Sequence, residues 1–195
     1  MRNNEIKKIA FSAILMALVV LFSLFYFFQL PVFAVVTIAH IPVLVGAIIL
    51  GPKHGAALGF VFGLTSFVIA SFVMGNNAPF TNPLLSILPR VFFGWVTYYV
   101  YVGFKNLIKE RYTSIVLTMI ISTLIHSLVV LPILYFVTET GFFFTAKENP
   151  LTTNTDLLTF IITILGANSV LEIVVAAIVG PAIILVLDKL NAFNE

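Results

Sequence analysis

Arg90 stands inside a long apolar run, and its guanidinium offers a planar fork of donors that matches a carboxylate or a phosphate. Where water is scarce that pairing is stronger than at a surface, so one reading of Arg90 is an anion clamp. The other is a snorkelling arginine or a structural partner for Glu172. Asn168 and Glu172 are one helical turn apart and fall on one helix face. Asn168 can donate and accept, which suits a ligand hydroxyl or amide and equally a neighbouring helix. Glu172 suits protonation, pairing with His126, or a bond to another helix. His126 and His40 each interrupt an apolar stretch, as satisfied packing residues or as ligand contacts. No catalytic or metal set appears: HExxH, CxxC, GxSxG and GxxxxGK[ST] are absent and the chain has no cysteine. Hydrolysis, ATP use and thiolate chemistry are therefore not encoded, and no cofactor is expected.

The surroundings make these polar groups unusual. Of 195 residues 61% are apolar and 9% charged, against roughly half and a quarter in an average soluble domain. That is too little polar surface to cover a soluble globule of this size, so the chain reads as an all-α integral membrane protein, one bundle over 1–195. The net charge of +2 is too small to point to nucleic acid.

Crossing about 30 Å of hydrocarbon takes roughly 20 apolar residues as a helix, and counting between breaks predicts six spans, at 9–30, 35–50, 56–74, 84–104, 114–137 and 157–187. The first is too long for the apolar region of a signal peptide and is expected to stay in the mature protein. Gly51-Pro52-Lys53-His54-Gly55 predicts a tight reversal. Arg2, Lys7, Lys8, Lys53, Lys105, Lys109, Arg111 and Lys189 all fall on one face of this layout, and Lys147 alone on the other. Basic residues stay inside, so both termini are expected in the cytoplasm and the 138–156 loop outside, in a multi-pass protein of a prokaryotic plasma membrane. Arg90 then lies about 9 Å along its helix from the external end, within reach of outside water. Trp95 lies a turn and a half deeper and shares a cavity with Arg90 only if the helix faces it obliquely.

Ala10, Ala13 and Ala17 form a small-residue stripe on the first helix, and Gly55, Gly59 and Gly63 two GxxxG steps on the third. Such spacing lets helix backbones approach closely. The glycines suit internal packing, whereas the alanines are open to another subunit. The 20 phenylalanines read mostly as lipid-facing filler and interfacial belt.

The run Thr37 to Phe60, with HIPVLVGAIILGPKHGA at its heart, continued by Gly63-Leu64-Thr65-Ser66, resembles the substrate-binding (S) components of energy-coupling factor (ECF) vitamin transporters. The AxxxA of Ala13 and Ala17 falls where their coupling motif does, and length, six spans and internal termini agree. The resemblance implies a six-helix bundle that binds one vitamin near its external side beneath a lid between the first two helices. It also implies docking, through Ala13 and Ala17, on a transmembrane coupling subunit with two ATPases. Transport would come from toppling of the S component, driven by ATP hydrolysis in those partners, so the chain itself would not be an enzyme. Binding residues in the family come from the lid and the external halves of helices four to six, which implies Arg90, Asn168 and His126, with Trp95 and His40 as further candidates.

The stretch PFTNPLLSILPRVFFG, Pro79 to Gly94, looks most like S components assigned to pantothenate, and brings Asn82 into the candidate set. Pantothenate has a carboxylate, an amide, two hydroxyls and a gem-dimethyl group, which one arginine, an asparagine, a histidine and an apolar pocket complement. Riboflavin lacks a carboxylate, folate has two, and thiamine is a cation that Arg90 should reject. Pyridoxine and hydroxymethylpyrimidine stay open as neutral ligands. A stand-alone secondary carrier relying on Glu172 is the rival class, and a membrane scaffold the second.

Overall fold

A computed structural model of the chain describes residues 2–27, 38–73, 79–140 and 169–189, and the regular structure among them is helical. The helices are α1 (Arg2–Phe27), α2 (His40–Leu50), α3 (Pro52–Val73), the one-turn α4 (Pro83–Ser86), α5 (Leu88–Ile108), α6 (Arg111–Thr140) and α7 (Val170–Lys189), with a 3-10 turn over Pro79–Thr81 ahead of α4. Among the described residues, five stretches are long and apolar enough to cross a membrane: Glu5–Leu24, Pro52–Phe72, Pro83–Ile108, Arg111–Phe136 and Val170–Lys189.

The segment expected to span at 35–50 takes a different form. Its described part, α2, has 11 residues, about 16 Å at 1.5 Å per residue, or roughly half of a hydrocarbon core. Ten of the 11 are buried, because α1, α3, α5 and α7 all pack around it. Its uninterrupted apolar sequence therefore meets protein rather than lipid, a distinction that hydropathy alone does not carry. The reversal into α3 turns on Gly51, whose φ of 96° is open to a residue without Cβ; its N–H donates to the Ala47 carbonyl at 3.1 Å and closes the last turn of α2.

The span expected at 84–104 is split in two, α4 and α5, which meet at Ile87. The 157–168 part of the last expected span lies outside the described residues, as do most of the 138–156 loop expected outside and the segment between the first two helices where a lid is expected.

The glycines of α3 face α5, its most extensive partner. A Cβ on Gly55 would lie 2.2 Å from the Gly94 carbonyl oxygen, and one on Gly63 2.6 Å from the Cα of Ile87. The two backbones thus touch along an antiparallel seam. Lipid removes the hydrophobic drive between helices, so such close packing, with its dispersion gain, is what holds them. Several buried hydroxyls are satisfied on their own helices: Thr97 donates to Phe93 O at 2.8 Å, Thr118 to Ser114 O at 2.6 Å and Thr123 to Met119 O at 2.8 Å. Arg111 and Asp188 form an ion pair at 2.6 Å that ties the start of α6 to the end of α7.

Candidate functional site

The site is built where the chain breaks its own helix. Asn82 is buried and caps α4, its Oδ1 accepting from the Leu84 N–H at 2.9 Å, with Pro83 in the first helical position where no N–H is needed. The Ser86 hydroxyl donates to the Phe80 carbonyl and folds the preceding 3-10 turn onto α4. One turn later Pro89 has no N–H for the Leu85 carbonyl, four residues back, so the ladder is interrupted there. The guanidinium of Arg90 takes over: Nη1 donates to Leu85 O. Arg90 is buried, at 6% exposure.

Aromatic rings enclose this cation. The Cζ of Arg90 lies 5.8 Å from the centroid of the Phe62 ring on α3 and 5.2 Å from that of Phe80, distances at which a ring face attracts a cation. Phe93, one turn along α5 and fully buried, has its ring 4.7 Å from that of His126 on α6 and 6.5 Å from that of His40 on α2. Phe62 and His126 are 6.3 Å apart. His126 lies within electrostatic reach of both Arg90 and His40, and Glu172 of α7 within reach of Arg90. Residues from five helices thus converge. Arg90 Nε, His126 Nε2 and, one turn along α6, Ser122 Oγ are buried with no hydrogen-bond partner among the described residues. Buried polar atoms left so cost about 1–3 kcal/mol each, and at one locus they form a polar face suited to a small molecule with an anionic group and hydroxyls or an amide.

Of the residues singled out in the sequence, Arg90, His126 and His40 come together here. Asn82 sits at the edge of the cluster, its oxygen engaged in capping. Trp95 is turned away: five residues is about 140° round a helix from Arg90 at 100° per residue. It is 45% exposed and packs on Phe92 and Tyr99 at 6.3 and 4.8 Å, beside an apolar surface groove of about 660 Å³. Asn168 lies outside the described residues. The hydroxyl of its neighbour Ser169 donates to Ser127 Oγ at 3.0 Å, fastening the start of α7 next to His126. Ala13 and Ala17 are exposed on α1, on the side away from buried Leu15 and Val19.

Sequence reasoning missed Phe62, Phe80 and Phe93, which it merged with the lipid-facing phenylalanines. For Phe93 a signal existed, since it falls three residues after Arg90 on the same helix face. It also passed over Pro89, whose position one residue before a buried arginine marks the break.

Comparison with known proteins adds two findings. The family described as "ECF transporter, substrate-specific component" matches residues 7–184. The pantothenic acid transporter PanT of Lactococcus lactis subsp. cremoris (strain MG1363) is 32% identical over 119 residues, 52% of this chain and 61% of that protein, so the match spans about three fifths of the relative's length.

Proposed function

The chain belongs to the substrate-specific components of ECF transporters, and from that premise we propose that it is the high-affinity subunit that captures pantothenate for import. The observation that carries this reading is Arg90: a buried guanidinium with ring faces beside it, one edge anchored and its Nε without a partner among the described residues. A carboxylate is the group that such an edge pairs with best. His126, at the same locus, suits one of the hydroxyls or the amide, and the walls of Phe62, Phe80 and Phe93 suit the gem-dimethyl group. Asn168, from the sequence, completes the set we assign to the ligand. The name of the Lactococcus relative supports the same vitamin.

The chain is a multi-pass membrane protein of a transporter family, and its role is binding rather than catalysis. In the full reading it has six membrane segments with α2 as the short internal one, both termini in the cytoplasm, and an ABC-type ECF module as partner. That module comprises a transmembrane coupling subunit, met through Ala13 and Ala17, and two ATPases that supply the energy.

The test is thermal stabilisation and direct titration of the detergent-purified chain with pantothenate, pyridoxine, hydroxymethylpyrimidine, riboflavin, folate and thiamine. A ligand bound only by the folded state raises the melting temperature. Stabilisation by pantothenate that is lost in Arg90→Ala is expected. A shift with a neutral vitamin alone would retain the class and remove the clamp, and no shift with any of them would refute the binding role.

A further inference from the structure

The carbonyl of Leu85 and the side chain of Arg90 meet because of the residue between them. In a continuous helix the N–H of residue 89 would donate to the carbonyl of residue 85; proline has no N–H, and its ring crowds that carbonyl. Ile87, at φ −96° and ψ −52°, stays near helical, so the chain runs on into α5 with little change of course. What changes is that the Leu85 carbonyl must find another donor in the interior, and Nη1 of Arg90 provides it. This engages one side of the guanidinium. The opposite edge carries Nε–H and Nη2 in parallel, the geometry of a bidentate carboxylate fork, and Nε is buried with no partner among the described residues. Phe62 and Phe80 add the remaining restraint on the guanidinium.

We propose that Pro89 is a positioning residue for the ligand's carboxylate: by withholding an N–H from Leu85 it makes that carbonyl the anchor for Nη1, and the anchor aims the Nε–Nη2 edge. The inference rests on the pantothenate reading of the site and deepens it. Arg90 supplies the charge, and Pro89 supplies the orientation without touching the ligand. A fork preset in this way binds without first losing rotamer freedom.

The experiment compares affinity for pantothenate with that for pantothenol, the neutral alcohol of otherwise identical shape, in the full-length purified chain. Pro89→Ala restores the N–H and favours helix, so the Leu85 carbonyl is taken and Nη1 released; Pro89→Gly restores the N–H without extending helix propensity and covers a failure of the first variant to fold. The expected result is a wild-type preference for the acid that falls by about tenfold in either variant, with pantothenol affinity changed by less than about threefold. Arg90→Ala should abolish the preference, and adding Pro89→Ala to it should remove nothing more, because the two act through one interaction. An acid-to-alcohol ratio unchanged in Pro89→Ala, or both affinities lowered alike, would overturn the inference and leave the pantothenate reading standing. A wild-type chain with no preference for the acid would overturn both.

Discussion

Gly59 lies against the backbone of Arg90 so closely that a Cβ on Gly59 would sit 2.0 Å from the Arg90 carbonyl oxygen and 2.8 Å from its carbon. The atoms approached are main chain, which has no rotamer to retreat into. The α3 glycine seam therefore sets the depth at which the arginine-bearing turn of α5 enters the bundle, and structural packing and the proposed ligand site share this contact.

Gly59→Ala is expected to destabilise the chain by about 3 kcal/mol or more, at or above the upper end of overpacking costs, because two helices must part to admit one methyl group. Gly103, on α5, has nothing within 4 Å of its would-be Cβ. There alanine is expected to stabilise by about 0.5–1 kcal/mol through helix propensity alone. Melting temperatures of the two variants in one detergent check the contrast, and equal shifts would mean that the seam is not tight.

Arg90→Gln loses the charge, the fork and the reach to the Leu85 carbonyl while keeping a polar side chain. Hydrogen bonds to charged groups contribute about 1.5–3 kcal/mol, so pantothenate affinity should fall roughly ten- to 150-fold. Arg90→Lys should recover part of the loss, since an ammonium supplies charge without a planar pair of donors. Isothermal titration separates the three. Full recovery with lysine would show that charge alone is recognised.

Helix class, the reversal at Gly51, the inward use of the α3 glycines and the cost of burying Arg90 are all legible from residue types and spacing. Each depends on a property that a residue carries by itself. Two features were not legible. The apolar surface of α2 meets protein and that of α1 largely does not, yet both read alike, because lipid and a helix neighbour are equally apolar. The rings of Phe62 and Phe80 gain their meaning from flanking the Arg90 guanidinium and that of Phe93 from meeting His126, contacts between separate segments that no single segment's pattern records.

Glu110 lies just before α6 and caps it, with Oε1 accepting from the Tyr112 N–H at 2.9 Å and Oε2 from the Thr113 N–H. The Thr113 hydroxyl first, then these amides, hold its carboxyl below the usual carboxylate range. A carboxyl whose pKa is lower folded than unfolded stabilises above its unfolded value and loses that contribution as pH falls through the folded one. The chain's stability should therefore decline on acidification below about pH 4.3, and Glu110→Gln should flatten that limb by lowering stability at neutral pH, with little effect at the acid end where the carboxyl is protonated. Thermal melts across that range provide the check, and an unaltered acid limb in the variant would refute the assignment.

Ala13 and Ala17 present small side chains on the exposed side of α1, while Leu15 and Val19 are buried on the other. In the isolated chain that exposed side meets lipid or detergent, which accommodates a larger side chain without strain. Against a partner helix the same side chain would hold two backbones apart, since close approach is what the four-residue spacing of small residues permits. Ala13→Leu with Ala17→Leu should thus leave melting temperature and pantothenate titration of the purified subunit unchanged, yet reduce its co-purification with the proposed coupling subunit and lower vitamin uptake by cells about tenfold or more. The dissociation of the two readouts is the point of the experiment. Loss of ligand binding in the isolated variant would place the stripe in the fold of this chain, and normal uptake would move the coupling contact to another face.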